Sequence, residues 1–426
     1  MAFLTSIVTV PTKKKIQNLN TNLQEFVNQE DTVFTKGRFF TSSLFLNNTW
    51  KNHKRNWGHS LHSMASRSGS FPPALANYFI SNFSNKGDIV VDPFSGKGTT
   101  ALEACINERI GIGLDVAPEA FALTSAKTIS VQHDEAVQYL NDLVFEEISK
   151  EELNAVPQEV KIFYSKPVLE QILAFRKAIE KDFSIQEHNV QSLQKKNTRF
   201  AKYWTGVIIG ILHGSSEVSL SVPCSHSFSM APNYVKNYSK KHGLKKPIRD
   251  LKECLIKRSA KLLNDNAIKT EGKAILGSAM NMPKNLEADL IVTSPPYFTA
   301  QSYAWDNWLR EWYLGYDFKE VRKETLHTSV EEKYRLAMAE HLKQAYACLK
   351  PKRWAFYVVG DVIKKMKSGS YKIITAEIIA QEAQEAGFSV ELIINDNIPE
   401  ANRYNSAFLN KDQGLKLDRI VCLYKN

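Results

Sequence analysis

Apolar positions along the chain change their period several times, and the changes mark out elements. Pro72-Pro73 followed by Ala74-Leu75-Ala76-Asn77-Tyr78-Phe79-Ile80 predicts a helix opened by proline. Asp88-Ile89-Val90-Val91-Asp92 predicts a short buried strand, followed by a glycine-rich turn and a helix from about Thr99 to Asn107. Ile110 to Asp115 is a second apolar strand, and Pro118 opens another helix. Strand, helix, strand, helix is the rhythm of a parallel α/β sheet.

That rhythm then stops for about 140 residues, too long for an ordinary connection, so an insertion with its own structure is expected. Amphipathic stretches at Val168 to Ile179, Phe200 to Leu212 and Ile248 to Leu263 predict helices there, with a Ser-, Pro- and His-containing segment from Gly214 to Tyr234 between them. Strands resume at Ala274 to Leu276 and Leu290 to Thr293. A helix near Glu332 to Leu349, a strand Trp354 to Gly360, a helix from Ile373 to Ala386 and strands Ser389 to Ile394 and Arg419 to Tyr424 follow. The last two suit a terminal antiparallel pair. Residues 1 to 60 read as polar and irregular, with Lys13-Lys14-Lys15 as a solvated run.

A length of 426 residues suits a main domain plus a sizeable insertion. No segment approaches the unbroken apolar run of about 18 residues that a membrane span needs. Met1 to Pro11 lacks the features of a secretory signal, so a cytoplasmic protein is expected. The five cysteines, Cys105, Cys224, Cys254, Cys348 and Cys422, stand singly, with no CxxC pair and no His cluster at metal-ligand spacing, so reduced structural thiols and no metal site are expected. The net charge of +10 favours a polyanionic partner without specifying one.

Two segments carry candidate chemistry. The first, Asp92-Pro93-Phe94-Ser95-Gly96-Lys97-Gly98-Thr99-Thr100, lies where the first strand hands over to a helix. Gly96 and Gly98 permit a tight turn close to a ligand, and the free N–H groups at the helix start favour an anionic group. Asp115, at the end of the second strand, is placed to accept from both hydroxyls of a ribose. A dinucleotide site or an unliganded structural turn remains open on these residues alone. Leu102 replaces the third glycine of GxGxxG, and a P-loop is excluded by the spacing.

The second segment, Ile291-Val292-Thr293-Ser294-Pro295-Pro296-Tyr297, ends an apolar strand in two prolines. Proline cannot donate to a ladder and stiffens the exit from the strand. Such a loop holds the Pro295 carbonyl and the Ser294 hydroxyl in fixed positions, both able to accept from an exocyclic NH2, and Tyr297 offers a face on which a base stacks. The alternative is a rigid loop that covers the sheet edge.

Together these segments resemble the amino-methyltransferases of DNA. Phe94-Ser95-Gly96-Lys97-Gly98 is similar to that family's FxGxG cofactor turn, and Ser294-Pro295-Pro296-Tyr297 to its (D/N/S)PP(Y/F/W) catalytic loop. The resemblance implies an α/β, Rossmann-like methyltransferase fold: a mostly parallel seven-stranded sheet with a terminal antiparallel strand, plus a largely helical insertion. It implies an N-terminal arm at 1–58, a catalytic domain at 59–130 and 270–426, and target recognition by the insertion at 131–269. The cofactor implied is S-adenosylmethionine, held by Asp92, Pro93, Phe94, Ser95, Gly96, Gly98, Thr99, Thr100 and Asp115. Ser278 stands where many relatives place an acidic contact to the adenine amino group. His59 to Met64 and Arg67-Ser68-Gly69-Ser70-Phe71-Pro72-Pro73 resemble the segment that closes over the methionine end, which brings in Phe71 and Pro72. Ile211-Leu212-His213-Gly214 with Ser227, Met230 and Pro232, Trp312-Tyr313-Leu314-Gly315 and Val358-Val359-Gly360-Asp361 are similar to further family segments. The Thr-Ser-Pro-Pro-Tyr form is associated with cytosine N4, and Asp or Asn forms with adenine N6. The order of turn, insertion and loop is like the family's alpha arrangement.

The substrate implied is double-stranded DNA with the target base flipped out, in a restriction-modification context with a possible cognate endonuclease. Rival readings are N6-adenine methylation, methylation of guanosine N2 in tRNA, and a catalytically silent DNA-binding subunit. Tyr234, Lys236, Tyr238, Lys240 and Lys241 interleave aromatic and basic side chains, as a DNA-tracking surface or a solvated loop does. His213 and His226 read as satisfied helix-end or loop histidines in preference to target contacts, Tyr303, Trp305, Trp308 and Trp312 as core, with one of them as the alternative wall of a base pocket, and Asp361 as a support of the catalytic loop or a structural carboxylate. Pro223-Cys224 superficially resembles a cytosine-C5 nucleophile, but lies in the insertion.

Overall fold

A computed structural model describes residues 33–35, 39–43, 57–66, 72–186, 197–224, 231–296, 303–366, 369–397 and 417–426. Its strands are β1 (Val33–Thr35), β2 (Phe39–Ser43), β3 (Ile89–Asp92), β4 (Ile110–Asp115), β5 (Lys273–Leu276), β6 (Ala288–Thr293), β7 (Leu349–Gly360), β8 (Val362–Met366), β9 (Gly369–Ile373), β10 (Ser389–Asn397) and β11 (Leu417–Lys425). The helices before the insertion are α1 (Pro73–Phe83), α2 (Thr99–Ile106) and α3 (Pro118–Lys127). The insertion supplies α4 (His133–Asp142), α5 (Lys150–Ala155), α6 (Gln158–Lys161), α7 (Lys166–Glu180), α8 (Thr198–Ile211), α9 (Pro232–His242) and α10 (Leu251–Leu262). After Ser294-Pro295-Pro296 come α11 (Tyr303–Asp306), α12 (Trp308–Tyr313), α13 (Phe318–Glu324), α14 (Glu331–Cys348) and α15 (Thr375–Glu385).

The main sheet runs β1-β2-β10-β11-β7-β6-β3-β4-β5. Pairs β4·β5, β3·β4, β3·β6 and β6·β7 are parallel, and β11 is antiparallel to both β7 and β10. These are the seven strands expected, with the terminal antiparallel pair. β1 and β2 extend the sheet, β2 running parallel to β10; here the polar, irregular reading of residues 1 to 60 is corrected, because short edge strands carry little apolar signal.

Alternation at period two puts a different core on each face. Val90, Leu290, Val292, Trp354, Phe356 and Val358 face α1, where Phe79 stacks on Phe356 at 4.1 Å between centroids. Val91, Ile291, Ala355, Tyr357 and Val359 belong to the core formed with α14 and α15. Strands buried on both faces read as continuous apolar runs, which is why β3, β6 and β7 stand out in the sequence.

The insertion shares one core with α3 and with the segment before α1, running from Leu61 and Met64 through Phe121 to Trp204 and Trp308. Gly206 and Gly210 on α8 allow that approach: a Cβ on Gly206 would sit 2.3 Å from Ala126 Cβ, and one on Gly210 would sit 2.0 Å from the Met64 carbonyl oxygen. Two local expectations are corrected. Ile373 ends β9, in a hairpin with β8, and the helix begins at Thr375. The Tyr234-to-Lys241 stretch is helical: Pro232 at its start and Gly243 at φ +64 after its end delimit α9, whose single buried residue, Val235, left no apolar stripe to read.

Candidate functional site

Strand order reverses between β3 and β6, and in open parallel sheets ligands bind at such a switch point, outside the carboxyl ends of the strands. β3 ends in the glycine-rich turn and β6 ends in Ser294-Pro295-Pro296. Both segments line one cleft, with Asp92, Phe94, Gly96 and Thr99 on one side and Ser294 and Pro296 on the other. Pro93, Ser95 and Asp115 line it too, so most of the expected residues meet here, although the two segments lie about 200 positions apart in sequence.

Two contacts fix the strand ends against each other. Thr293 Oγ1 donates to Asp92 Oδ1 at 2.6 Å, and Thr100 Oγ1 donates to the Val292 carbonyl at 3.1 Å. Asp92 also accepts from the Phe94 amide at 3.1 Å. Burial nonetheless pushes its carboxyl up to about 6, with a smaller contribution from the neighbouring Asp115 charge and partial opposition from these hydrogen bonds.

Asp115 is held by the turn it faces. Its Oδ2 accepts from the Gly96 amide at 2.9 Å and its Oδ1 from the Ala117 amide at 3.0 Å. A carboxylate oxygen accepts more than one hydrogen bond, so this anchoring is compatible with receiving a ribose diol. Gly96 and Gly98 have φ of +51° and +74°, and a Cβ on Gly98 would sit 2.8 Å from Thr124 Oγ1 and 3.0 Å from Thr124 Cα. Ser95 Oγ pairs with the same Thr124 hydroxyl at 3.2 Å.

Among the described residues, Thr99 Oγ1 and Ser294 Oγ are buried and have no hydrogen-bond partner. A hydroxyl in that condition costs about 1–3 kcal/mol, and both residues line this cleft. Buried hydroxyls beside two carboxylates and an open glycine turn fit a nucleoside carrying a charged amino-acid tail.

Several supporting residues were not foreseen. His341 Nδ1 lies 3.1 Å from the Ala279 carbonyl, which only accepts, so Nδ1 carries the proton and Nε2 accepts from the Tyr357 hydroxyl at 2.9 Å. Burial lowers its pKa to about 4, so the ring stays neutral, with the Phe94 ring edge-on at 4.7 Å. Lys127 is fully buried, its ammonium destabilised by that burial, and its Nζ donates to the Lys97 carbonyl at 2.7 Å beneath the turn. Glu103 accepts from Asn77 at 2.9 Å and pairs with His62 at 2.6 Å. Ala279, Met280, Glu324, Thr325 and Leu326 complete the lining. For Lys127 the signal is a lysine in a helix whose other charged residue is Glu119 alone; α14 has no sharp apolar face to single out His341.

Other candidates lie elsewhere. Ser278 Oγ accepts from the Met280 amide at 3.2 Å, and its two successors line the cleft in its place. Gly98, Thr100 and Pro295 support the lining without belonging to it, and Pro72 caps α1. His213 pairs with Ser221 Oγ at 2.9 Å, and Asp361 holds Arg419 at 2.8 and 3.0 Å as a structural carboxylate. All five cysteines are free and buried; Cys224, its thiol pKa raised by burial, lies outside the cleft. Tyr234 and Tyr238 stack on α9 at 5.6 Å, with Lys236, Lys240 and Lys241 exposed beside them. Trp308 is buried, whereas Trp305 is 38% exposed, against the expectation of core packing. Phe71 and Tyr297, with Lys13, Lys14, Lys15, Arg67, Ser68, Gly69, Ser70, His226, Ser227 and Met230, lie outside the described residues. Among the described residues no cluster of metal ligands occurs and no helix is long and apolar enough to cross a membrane.

Residues 5–127 match the family model for DNA methylases. The orphan methyltransferase M.BamHII of Bacillus amyloliquefaciens is 51% identical over 49 residues, 12% of this chain and 18% of that protein. The type II methyltransferase M.MjaII of Methanocaldococcus jannaschii is 41% identical over 59 residues, 14% and 11% of the two chains. The type II methyltransferase M.BsoBI of Geobacillus stearothermophilus is 26% identical over 327 residues, 70% of this chain and 61% of that one. Each alignment thus spans less than two thirds of the relative's own length. The turn that meets the loop at the switch point of this sheet thus lies in the part of the chain that is similar to DNA methylases, and over most of its length the chain is similar to a type II methyltransferase.

Proposed function

We propose that the chain transfers a methyl group from S-adenosylmethionine to N4 of cytosine in double-stranded DNA. The observation that carries this reading is the buried, unpartnered Ser294 hydroxyl in the same cleft as the Asp92-to-Thr99 turn and Asp115. The serine form of the loop favours cytosine over adenine. When bound, the cofactor supplies an electrophilic methyl group on a sulfonium. The chain's own work is to position the base: an amine conjugated with its ring is a poor nucleophile, and acceptance of its N–H bonds by Ser294 Oγ and the Pro295 carbonyl favours a tetrahedral nitrogen with an available lone pair. The target must leave the helix to reach this cleft, at a cost of a few kcal/mol offset by stacking and by hydrogen bonds to the base edge. No cysteine is required, in keeping with the position of Cys224. The type II designation of two relatives supports a restriction-modification setting, with the insertion as the reader of the target site.

Incubation of plasmid DNA with methyl-labelled cofactor, followed by nucleoside analysis, tests the reading. N4-methylcytosine is expected; N6-methyladenine would transfer the assignment to the other branch of the family, and label absent from DNA would overturn it.

Asp92 adds a pH dependence. A cofactor with a sulfonium and an ammonium binds the ionised carboxylate better, so raising the pH from about 5 to about 7 is expected to tighten cofactor binding by roughly tenfold, and Asp92→Asn to flatten the profile. The stability contribution runs the other way: a carboxyl whose pKa is raised in the fold stabilises at low pH, and that contribution is lost as pH rises through about 6. Calorimetric titration across this range checks the first expectation; a flat profile in the unmodified protein would refute it.

A further inference from the structure

A second, open cleft lies between the insertion and the segment that follows the catalytic loop. Its aromatic lining comes from Trp305, Trp308, Trp312, Tyr316 and Phe318, with Trp305 edge-on to Phe318 at 5.1 Å between centroids. Trp305 is 38% exposed and Phe318 half-buried, an unusual setting for large rings in a chain with a well-filled core.

Two observations indicate what this cleft holds. First, it lies close to the methyl-transfer cleft: Phe318, at the start of α13, lines the aromatic cleft, while Glu324, at the end of the same helix, lines the other. A helix of that length spans about 10 Å, so the two hollows sit within a few nucleotides of each other along a strand. Second, its rim is cationic. Pro232 and Asn233, which open α9, line the cleft, and from Pro232 to Arg249 the chain has five lysines and one arginine with no Asp or Glu. Lys246 and Arg249 are turned to backbone carbonyls, while Lys236, Lys240, Lys241 and Lys245 are exposed. Aromatic faces beside a phosphate-tracking cationic helix are the elements of a stacking site for unpaired nucleotides. The acids within the lining, Glu159 and Asp317, suit the same occupant, because carboxylates accept from the amino groups of bases.

We infer that this aromatic cleft is a second nucleobase-binding site, which stacks an unpaired base of the DNA next to the one being methylated, with Trp305 and Phe318 as its platform. The inference rests on the reading of DNA as substrate and adds where a neighbouring base goes.

The test uses the full chain and two probes: a short single-stranded oligonucleotide of mixed sequence, and a strand of equal length made of abasic sites. Trp305→Ala and Phe318→Ala are each expected to weaken binding of the base-bearing strand by about tenfold and to leave the abasic strand unaffected. Lys240→Glu is expected to weaken both, because it acts on phosphates. Trp305→Tyr, which keeps an aromatic face, restores most of the binding and controls for misfolding. Equal losses on the two strands, or none on either, would overturn the inference, as would failure of the unmodified protein to prefer the base-bearing strand. A protein that keeps this preference yet transfers no methyl group to DNA would sink the enzymatic proposal and leave the aromatic site standing.

Discussion

Replacing Ser294 by alanine is expected to lower kcat for methyl transfer by about 10²- to 10³-fold while cofactor affinity and fold remain intact. The substitution removes one hydroxyl and little else. Asp92 keeps its partner, because Thr293 rather than Ser294 donates to it, and Ser294 Oγ has no hydrogen bond within the protein to lose. Removing an unsatisfied buried hydroxyl leaves stability unchanged or slightly raised, by the same reasoning that makes such groups costly. Loss of rate with an unchanged or higher melting temperature is therefore the expected pattern, and a structural role for Ser294 predicts the reverse. Cys224→Ala, at a buried position outside the cleft, is the companion that keeps most of the activity. Full activity in Ser294→Ala, or loss of activity in a folded Cys224→Ala protein, would discard the amine-positioning mechanism.

The second large effect falls on binding. Asp115→Ala is expected to weaken S-adenosylmethionine by about 100-fold, because it deletes the carboxylate proposed to receive the ribose and also releases the Gly96 and Ala117 amides. Those amides shape the turn, so the change reaches the opposite wall of the cleft. Asp115→Asn has one oxygen in place of two and can serve only one of the amides, so an intermediate loss is expected. Equilibrium binding separates the variants, and an unchanged dissociation constant for the alanine form would show that Asp115 is only a turn support.

Much of the architecture was legible in the chain because parallel strands buried on both faces must be apolar at nearly every position. Ile89 to Asp92, Ile110 to Asp115 and Leu290 to Thr293 therefore announce themselves, and the glycines and prolines beside them carry backbone constraints that few other residues meet. Other elements were not legible. β1 and β2 are short and sit at an edge, the β8–β9 hairpin stands apart from the main sheet, and α9 buries one side chain. Trp305 shows the converse: helical spacing after the loop pointed to core, but spacing reports which face a residue occupies and not whether another element covers that face.

By itself the sequence determined the two chemical segments, the alternating α/β plan and the presence of a long helical insertion, since each follows from local periodicity or local backbone freedom. Only the tertiary structure decided that Asp92 and Thr293 share a hydrogen bond across about 200 residues, that His341 and Lys127 support the turn from helices elsewhere in the chain, and that a second aromatic cleft lies one short helix from the first. Such contacts depend on strand order and helix placement, which arise from the whole chain minimising exposed apolar surface and unpaired polar groups at once, and no local window of residues contains that information.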